Sequence, residues 1–426
     1  MLTIPFIKDH RDTVLKGLEV KNFKNPELID QIIELDNKRR ALQVKTNELQ
    51  AQMNKLSKEI GQLFKSGEKE KANQVKEQTT GIKQELETME QDLQRANERM
   101  NELLVQVPNV PHPSVPGGNS EADNKEIRSG GSIPSLHEGA QPHWELGKKY
   151  KLIDFDLGVK ITGGGFPVYR GKGAKLQRAL IAYFLDQNTD AGYEEILPPL
   201  MVNEESGFGT GQLPDKEGQM YHVTGDNLYL IPTAEVPVTN IYRDVILDAG
   251  ELPIKNTAFT PCFRREAGSY GKDVRGLNRV HQFDKVEIVQ IQHPSNSYNA
   301  LEEMVSHVEQ LVISLGLPYR IVQLCGGDLS FTSALTYDFE VYAAAQDKWL
   351  EVSSVSNFEA YQSNRLKMRF REPGEKKTQL THTLNGSALA LPRILAAILE
   401  NNQTPDGIKI PEVLHPYMGA GNEMIT

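Results

Sequence analysis

The residues with the clearest capacity for chemistry lie in a cationic stretch between two apolar runs, residues 262–287. Between the two apolar runs lie the cations and glycines Arg264, Arg265, Lys272, Arg275, Arg279, Gly268, Gly271 and Gly276. Arginine forms paired hydrogen bonds with carboxylate or phosphate oxygens, and glycine lets a backbone approach a ligand closely. Phe283 could stack on a nucleotide base. The pattern predicts an anion-binding loop between two strands, although a solvated hairpin tip fits the same pattern.

A hydroxyl and a carboxylate follow the short apolar run 228–231, which is predicted to be a buried strand. They belong to the sequence Thr233-Ala234-Glu235, which precedes a proline. Such a pair at a strand end suits recognition of a small polar substrate. The same residues would also serve as a helix N-terminus, with Thr233 as the cap and Glu235 near the positive end of the dipole. Both interpretations stay open from the sequence.

Two further segments near the C-terminus could bind a nucleotide. Glu351 and Ser354 lie in an apolar stretch and could converge on Mg²⁺, a hard cation that prefers oxygen ligands. Residues 383–384 are predicted to end a strand, and Asn385-Gly386-Ser387 to form a turn. Arg393 precedes an apolar helix predicted over 394–401. An arginine there fits a phosphate site at the helix N-terminus, or simple surface exposure.

The elements that must position these residues begin with a long periodic segment. After a predicted strand (2–7) and helix (9–20), Pro26 opens a helical pattern. Its seam positions are Leu28, Ile32, Leu35, Arg39, Leu42, Thr46, Leu49, Met53, Leu56, Ile60 and Leu63, then Val75, Thr79, Ile82, Leu86, Met89, Leu93, Ala96, Met100 and Leu103. Alternating steps of four and three predict a coiled coil, and Ser66-Gly67 predicts a turn. We therefore expect an antiparallel hairpin over about residues 27–106, ended by Pro108.

The first helix of this hairpin carries a group of cations: Lys38, Arg39, Arg40, Lys45, Lys55 and Lys58. A charge run of this kind is usually a solvated face, and the hairpin itself could be a dimerisation rod. Beyond it, residues 108–140 are rich in Pro, Gly, Ser and Asn and are predicted to form a linker. Helices are then predicted over 174–190 and 295–315, with strands ending at Pro198-Pro199 and spanning 319–323 and parts of 330–350.

Composition limits the classes of function. The 426 residues leave room for two or three domains, and the net charge of -10 restricts any RNA contact to local basic patches. Two cysteines cannot form a disulfide framework or a four-cysteine zinc site, which predicts a cytoplasmic protein without zinc. Neither a signal peptide nor an apolar run of about 18 residues is visible, so no membrane association is expected.

The cationic stretch, CFRREAGSYGKDVRGLNRVHQFDKVE, resembles motif 2 of class II aminoacyl-tRNA synthetases in the form found in seryl-tRNA synthetases of the bacterial type. The helix and strand that end at Pro198 resemble motif 1, and the segment around Arg393 resembles motif 3. In motif 3, Ala388 and Pro392 stand where glycines are usual. The resemblance extends over residues 1–420 and includes the long helical arm.

The resemblance implies an α+β fold, with an antiparallel coiled-coil arm and a catalytic antiparallel β-sheet flanked by helices. It implies a tRNA-binding domain at 1–107, the linker at 108–140 and a class II catalytic domain at 141–426. The implied reaction is ligation of L-serine to tRNA(Ser), and to tRNA(Sec) where that exists, through a seryl-adenylate made from ATP with release of pyrophosphate. A homodimer is expected from motif 1, and Mg²⁺ is the expected metal.

The resemblance also assigns roles to individual residues. Arg264 and Arg393 are expected to be catalytic, Glu351 and Ser354 to bind Mg²⁺, and the six arm cations above to contact tRNA. The expected serine-binding residues are Thr233, Ala234, Glu235, Arg264, Glu287 and Ser387. The expected ATP-binding residues are Arg264, Arg265, Glu266, Arg275, Val280, Phe283, Glu351, Val352, Ser353, Ser354 and Arg393.

Two rival functions are compatible with parts of this pattern. A related enzyme could make the adenylate and load a carrier protein, but such enzymes lack a long tRNA arm. An inactive coiled-coil scaffold would be expected to lose Arg264, Glu266, Glu287 or Arg393, and all four are present.

Overall fold

The computed structural model describes residues 1–215, 218–266 and 275–426. Residues 267–274 of the predicted anion-binding loop, which include Gly268, Gly271 and Lys272, lie outside the described residues. The chain divides into two compact units. The first contains Met1–Glu19 and Phe23–Pro108, and the second contains Val20–Asn22 and Asn109–Thr426.

The regular secondary structure of residues 1–104 consists of four helices. Its helices are α1 (Ile4–Asp9), α2 (Arg11–Val20), α3 (Leu28–Lys65) and α4 (Lys69–Leu104). The strand predicted over 2–7 is wrong. Thr3 caps α1 by accepting a hydrogen bond from the backbone N–H of Phe6, and Pro5 stands in the first turn, where its missing N–H costs nothing.

Helices α3 and α4 form the predicted hairpin. They contain 38 and 36 residues, so at ~1.5 Å per residue the longer one spans ~57 Å. An ion pair of 3.2 Å joins Lys45 of α3 to Glu85 of α4, as expected when the two helices run antiparallel. Gly67 makes the turn between them with a φ of +80°, a conformation that glycine adopts without strain.

The second unit is built on an antiparallel sheet with helices packed against it. Its helices are α5 (His143–Lys149), α6 (Phe155–Ile161), α7 (Gly171–Asp190), α8 (Glu204–Thr210), α9 (Glu235–Asn240), α10 (Ser297–Ser314), α11 (Ala360–Leu366), α12 (Leu391–Asn401) and α13 (His415–Met418). Its main strands and smaller strands are β1 (Lys125–Gly130), β2 (Ile153–Asp154), β3 (Val168–Tyr169), β4 (Glu194–Glu195), β5 (Met201–Val202), β6 (His222–Val223), β7 (Leu228–Leu230), β8 (Ile246–Asp248), β9 (Ile254–Phe263), β10 (Gln282–Gln292), β11 (Tyr319–Gln323), β12 (Leu335–Ala343), β13 (Lys348–Asn357), β14 (Arg369–Arg371), β15 (Thr378–Leu380), β16 (His382–Ala390), β17 (Gln403–Thr404), β18 (Gly407–Lys409) and β19 (Met424–Ile425).

The main sheet has the strand order β1-β11-β12-β13-β16-β10-β9-β4. All neighbours are antiparallel except β4, which runs parallel to β9. Buried side chains of α7, α10 and α12 form one hydrophobic core with the sheet, including Phe184, Val308 and Leu395. The helices therefore cover the sheet and fix the strands that carry the candidate residues.

The turn predicted at Asn385-Gly386-Ser387 is wrong, because these residues lie inside β16. Gly386 pairs with Ile288 on one side and Val355 on the other, so the segment is an interior strand. A Cβ at Gly386 would lie 2.9 Å from the Val355 Cγ2, so glycine here permits close packing and does not mark a turn.

Two other segments differ from expectation. Part of the predicted linker, β1, pairs with β11 and extends the main sheet. The strand expected to end at Pro198-Pro199 is short and covers only Glu194–Glu195. Among the residues described above, no helix combines the length and the apolar character that crossing a membrane requires.

Candidate active site

A cluster of buried polar side chains lies where β10 meets the start of α9. Lys285 and Glu287 are two residues apart on β10, so both point to the same face, where they form an ion pair. The Thr233 hydroxyl donates to Glu287 Oε2 at 3.2 Å and accepts from Lys285 Nζ at 3.0 Å. Of these three residues, Lys285 is the one that the sequence analysis missed, and its signal was its spacing of two from Glu287.

Glu235 extends this cluster from the first position of α9. Its Oε1 accepts a hydrogen bond of 2.6 Å from Gln362 Nε2, while Gln362 Oε1 accepts one of 2.6 Å from the Thr383 hydroxyl. Burial, and then the charge of Glu287, raise the pKa of Glu235 to about 7. The site thus holds two carboxylates with one buried lysine, an arrangement suited to binding a small polar or cationic group.

The N-cap interpretation of Thr233 is wrong, because Ala234 holds the N-cap position of α9. The backbone N–H of Glu235 donates to the Thr233 hydroxyl oxygen at 3.2 Å. Thr233 therefore lies just before α9, accepts a hydrogen bond from its first residue and also touches Glu287. Ala234 is buried beside it, and Ser387 lies opposite Glu287 in the β10–β16 ladder.

Arg264 follows β9 at the edge of this cluster. Its Nε donates to the Pro232 carbonyl at 3.3 Å, and its guanidinium carbon lies 5.3 Å from the centre of the Phe283 ring. Because Pro232 directly precedes Thr233, the cation stands between the polar cluster and an aromatic face. Such a position allows one arginine to contact both an amino-acid carboxylate and a phosphate.

The residues around Phe283 are held by further polar contacts. Glu266 forms an ion pair with Arg279, and Val280 is buried. Arg265 is exposed, and its backbone N–H donates to the Gln219 carbonyl at 2.8 Å. His281, which the sequence analysis did not single out, lies 3.0 Å from the Tyr221 hydroxyl through Nδ1.

Two arginines approach the site from other elements. Arg393, near the start of α12, donates from Nε to the Asn278 carbonyl at 2.9 Å and from Nη1 to the Glu351 carbonyl at 2.7 Å. Arg275 forms an ion pair of 3.2 Å with Glu145 and lies 4.8 Å from the Trp144 ring centre. Both guanidinium groups are partly exposed and can therefore bind an anion.

The predicted metal ligands, Glu351 and Ser354, flank an irregularity in β13. The pairing with β12 shifts so that Ser353 faces Phe339 whereas Glu351 faces Glu340, which leaves Val352 as an extra residue. This bulge brings Glu351 and Ser354, three positions apart, toward one face, which a regular strand would not do. Ser353 donates to the Ser387 carbonyl at 2.5 Å and thereby links β13 to β16.

Asp338 joins this pair and was missed by the sequence analysis. It accepts a hydrogen bond of 2.6 Å from the Ser354 hydroxyl. Burial, and then the charge of Glu351, raise the pKa of the Asp338 carboxyl well above its usual value. Its position in the alternating strand β12 was visible in the sequence, but its contact across the ladder was not.

The cations of the arm lie in the other unit and are partly engaged by acids. Arg39 and Arg40 both form ion pairs of 2.8 Å with the buried carboxylate of Asp36, which Lys8 also contacts at 3.0 Å. Lys38 pairs with Glu34 at 2.7 Å, and Lys45 with Glu85 as described above. Within the described residues, Lys55 and Lys58 form no ion pair.

The fold and the site define a class of enzyme. Residues 221–402 match the family model described as the tRNA synthetase class II core domain (G, H, P, S and T), and residues 1–111 match the seryl-tRNA synthetase N-terminal domain. This chain is therefore a class II aminoacyl-tRNA synthetase.

Similar proteins narrow the assignment from this class of enzyme to one family. A serine–tRNA ligase of Salinibacter ruber is 49% identical over 420 residues, which cover 98% of each chain. Another, of Geobacter sulfurreducens, is 53% identical over 76% of this chain and 77% of its own. The crystal structure of seryl-tRNA synthetase from Pyrococcus horikoshii complexed with ATP matches with a TM-score of 0.93 and 33% identity, covering 100% of this chain and 99% of that one. The chain belongs to the serine–tRNA ligase family.

Proposed function

We propose that this enzyme activates L-serine with ATP and transfers the seryl group to the 3′ end of tRNA(Ser), and of tRNA(Sec) where that exists. The observation that carries the proposal is the buried cluster of Thr233, Lys285 and Glu287 with Arg264 and Phe283 at its edge. It combines a small polar pocket with a cation and an aromatic face, as an amino acid joined to a nucleotide requires.

L-serine fits the pocket by size and by polarity. Thr233, Glu235, Glu287 and Ser387 line it, and all four side chains are buried. Because Glu287 can accept a hydrogen bond from a substrate hydroxyl, a bound amino acid without that hydroxyl would leave a buried acceptor unpaired. Ala234 contributes to the wall beside Thr233.

ATP fits the surface that continues from Arg264. We assign the adenine ring to Phe283, the adenine amino group to Glu266 and the nearby backbone at Val280, and the distal phosphates to Arg275 and Arg393. Arg265, Val352 and Ser353 complete the predicted ATP-binding set. The ion pairs that Arg275 and Arg393 form with Glu145 and Glu351 balance their charge within the protein.

Adenylation here needs positioning and charge stabilisation more than proton transfer. A serine carboxylate oxygen attacks the α-phosphorus, the bond to the bridging oxygen breaks, and pyrophosphate leaves. Since the nucleophile is already an anion, no general base is required. Arg264 offsets the charge that accumulates as the two anions meet, and Arg393 assists at the leaving group. A hydroxyl at the tRNA 3′ end then attacks the seryl carbonyl, the bond from that carbonyl to the phosphate oxygen breaks, and AMP and the hydroxyl proton leave.

Glu351 and Ser354 fit a magnesium ion, with Asp338 behind Ser354. Asp338 and Glu351 lie close enough for the charge of Glu351 to raise the pKa of Asp338. A divalent cation would stabilise two carboxylates in such a position. The Arg393 guanidinium, 3.6 Å from the Glu351 carboxylate, supplies part of that positive charge in the protein alone. Glu351 and Ser354 would hold the magnesium, which would supply positive charge to the phosphates of ATP.

The domain assignment follows the predicted boundaries: a tRNA-binding domain at 1–107 with the arm, and a catalytic domain at 141–426. Exposed Lys55 and Lys58 support a phosphate-contacting role for the arm, because no acid within the described residues neutralises them. Arg39 and Arg40 hold Asp36 in addition to any role in tRNA binding.

We also propose a cytoplasmic homodimer. Large apolar side chains are exposed on the catalytic unit at Leu197, Met201 and Ile241, as on a surface that a second copy would cover. Cys262 and Cys325 are free thiols, which fits a reducing compartment. Sedimentation would give the oligomeric state.

Two assays test the proposed function. Serine-dependent exchange between ATP and pyrophosphate should be observed with serine alone among the amino acids, and charging of total tRNA should occur only with serine. Exchange with a different amino acid would refute the pocket assignment. Serine-dependent exchange without charging of any tRNA would favour a carrier-protein acceptor, and loss of both would favour a scaffold.

A further inference from the structure

His143 and Glu400 form a fully buried hydrogen-bonded pair that the mechanism above does not use. His143 is the first residue of α5, and Glu400 lies near the end of α12. Their side chains meet at 2.7 Å between Nδ1 and Oε1. Burying a titratable pair costs free energy unless every polar atom of the pair has a hydrogen-bond partner. The partners of His143 and Glu400 therefore show which parts of the chain this pair holds.

The other ring nitrogen of His143 fixes the tautomer. Nε2 accepts a hydrogen bond of 2.8 Å from the backbone N–H of Leu277, so it carries no proton. The proton of the neutral ring is therefore on Nδ1, which donates to Glu400. Glu400 is held in turn by the backbone N–H groups of Ala345 at 3.1 Å and Gln346 at 3.2 Å.

This ring anchors the backbone beside Arg275. Leu277 lies two residues after Arg275, and a Cβ on the intervening Gly276 would lie 2.3 Å from His143 Nε2. The two residues after His143 contact the arginine directly, as Trp144 faces its guanidinium and Glu145 forms its ion pair. One turn of α5 therefore sets both the backbone and the side chain of Arg275.

A second branch of the same network reaches Arg393. Gln346 donates from Nε2 to Glu400 Oε1 at 2.8 Å and accepts at Oε1 from Asn278 Nδ2 at 2.7 Å. The carbonyl of Asn278 accepts the bond from Arg393 Nε described above. Glu400 is thus linked to the two arginines through His143 on one side and through Gln346 on the other.

We infer that His143 and Glu400 are positioning residues that set the spacing of Arg275 and Arg393 for the distal phosphates of ATP. The inference rests on the proposed assignment of those two arginines. A displacement of about 1 Å in a binding cation lowers the rate or affinity strongly, so a buried anchor for both has a direct effect on ATP. Serine, which binds at the β10–α9 cluster, should be unaffected.

Two substitutions of His143 separate its two hydrogen bonds. Asparagine places a donor near Nδ1 but has no atom at Nε2, so His143→Asn keeps Glu400 paired and releases Leu277. Glutamine reaches the Nε2 position, so His143→Gln keeps an acceptor for Leu277 and loses the bond to Glu400. The KM values for ATP and for serine are measured by pyrophosphate exchange, with thermal unfolding in parallel.

A matched glycine pair tests the same contact from the loop. Gly276→Ala introduces the Cβ that meets His143, at a φ of +68°. Gly316→Ala is the control, because its φ is +69° and nothing lies within 4 Å of its Cβ position. The two glycines have nearly the same positive φ, so Gly316→Ala controls for the cost of that φ and the remaining difference is assigned to the contact with His143. This pair keeps the test available if the buried histidine variants fail to fold.

We expect His143→Asn and Gly276→Ala to raise the KM for ATP roughly tenfold, as for a buried donor left unpaired, and His143→Gln to raise it less. The KM for serine should stay within about twofold.

Arg275→Ala is measured as the reference. If it raises the KM for ATP while folded His143→Asn and Gly276→Ala behave like Gly316→Ala, the inference is wrong and the proposed function stands. If Arg275→Ala has no effect, the assignment of Arg275 fails. Equal changes for ATP and serine, or a lowered Tm alone, would mean a general structural role and would also overturn the inference.

Discussion

Lys285 and Glu287 form an ion pair on one face of β10 in which both side chains are almost completely buried, and the Thr233 hydroxyl touches both of them. Taking two charges from water is costly, and their mutual attraction offsets the cost only when both are present. Glu235 adds a third ionisable group, so the net charge of this pocket depends on pairing and on pH.

The first prediction separates stability from function at this pair. Lys285→Met should lower the free energy of unfolding by about 3–5 kcal/mol, because Glu287 is left buried without its partner. The double variant Lys285→Met/Glu287→Leu should regain much of that loss and still fail to activate serine. Denaturant unfolding and pyrophosphate exchange provide the two measurements. A double variant as unstable as the single one would show that the pair is not the cause.

The second prediction concerns discrimination between serine and alanine. A site that hydrogen-bonds a substrate hydroxyl disfavours the analogue without it by roughly 10⁴-fold or more. Alanine should therefore support exchange far more poorly than serine, and threonine should be excluded by its methyl group. Comparable kcat/KM values for serine and alanine would remove Glu287 from the role of hydroxyl acceptor.

The third prediction concerns Arg264. Arg264→Ala should slow adenylation by roughly 10²- to 10³-fold, the range for loss of one preorganised donor to developing charge. Arg264→Lys should recover only part of the rate, because an ammonium cannot form the paired bonds of a guanidinium. Single-turnover formation of the adenylate gives the rate, and a value near that of the unsubstituted enzyme for Arg264→Ala would refute the role.

The fourth prediction follows from the raised pKa of Glu235, about 7 in the folded protein against an ordinary value of 4.5. Between these pH values the folded state holds a proton that the unfolded state has lost, so this group makes stability fall as pH rises. The loss should reach about 3 kcal/mol across that window. Glu235→Gln keeps an acceptor for Gln362 and should flatten the profile of unfolding free energy between pH 5 and 8. An unchanged profile would contradict the assignment.

The sequence predicted the arm and the order of the catalytic elements well, because both depend on local periodicity. Helix spacing is repeated over many turns in α3 and α4, and the apolar runs beside the cationic stretch predict β9 and β10. Cations and acids in the anion-binding loop were also visible, since their types alone suggest phosphate chemistry.

Residues that act through distant contacts could not be predicted in this way. Gln362 is more than 120 positions from the Glu235 it binds, and Asp338 reaches Ser354 across a strand pair with a bulge. Asn385-Gly386-Ser387 has the composition of a turn, yet pairing on both sides makes it an interior strand. In each case tertiary packing outweighs the local signal.

The last prediction concerns the arm, and the structure shows where to shorten it. The base of α3 must be kept, because Asp36 there binds Lys8 of α1 as well as Arg39 and Arg40. Lys45 and Glu85 face each other at 3.2 Å, so residues 46–84 can be replaced by a short glycine bridge without separating the remaining helices.

This shortened enzyme should exchange pyrophosphate with serine at close to the normal rate, because every proposed active-site residue lies in the other unit. Charging of tRNA should collapse, because the removed segment carries Lys55 and Lys58 and the rest of the distal cations.

A Lys55→Ala/Lys58→Ala variant of the full chain should lower the slope of log affinity against log salt by about two, roughly one for each phosphate that the variant no longer neutralises. Equal loss of exchange and charging in the shortened enzyme would mean that the arm supports the catalytic fold, whereas unchanged charging would mean that it is a rod without a role in tRNA binding.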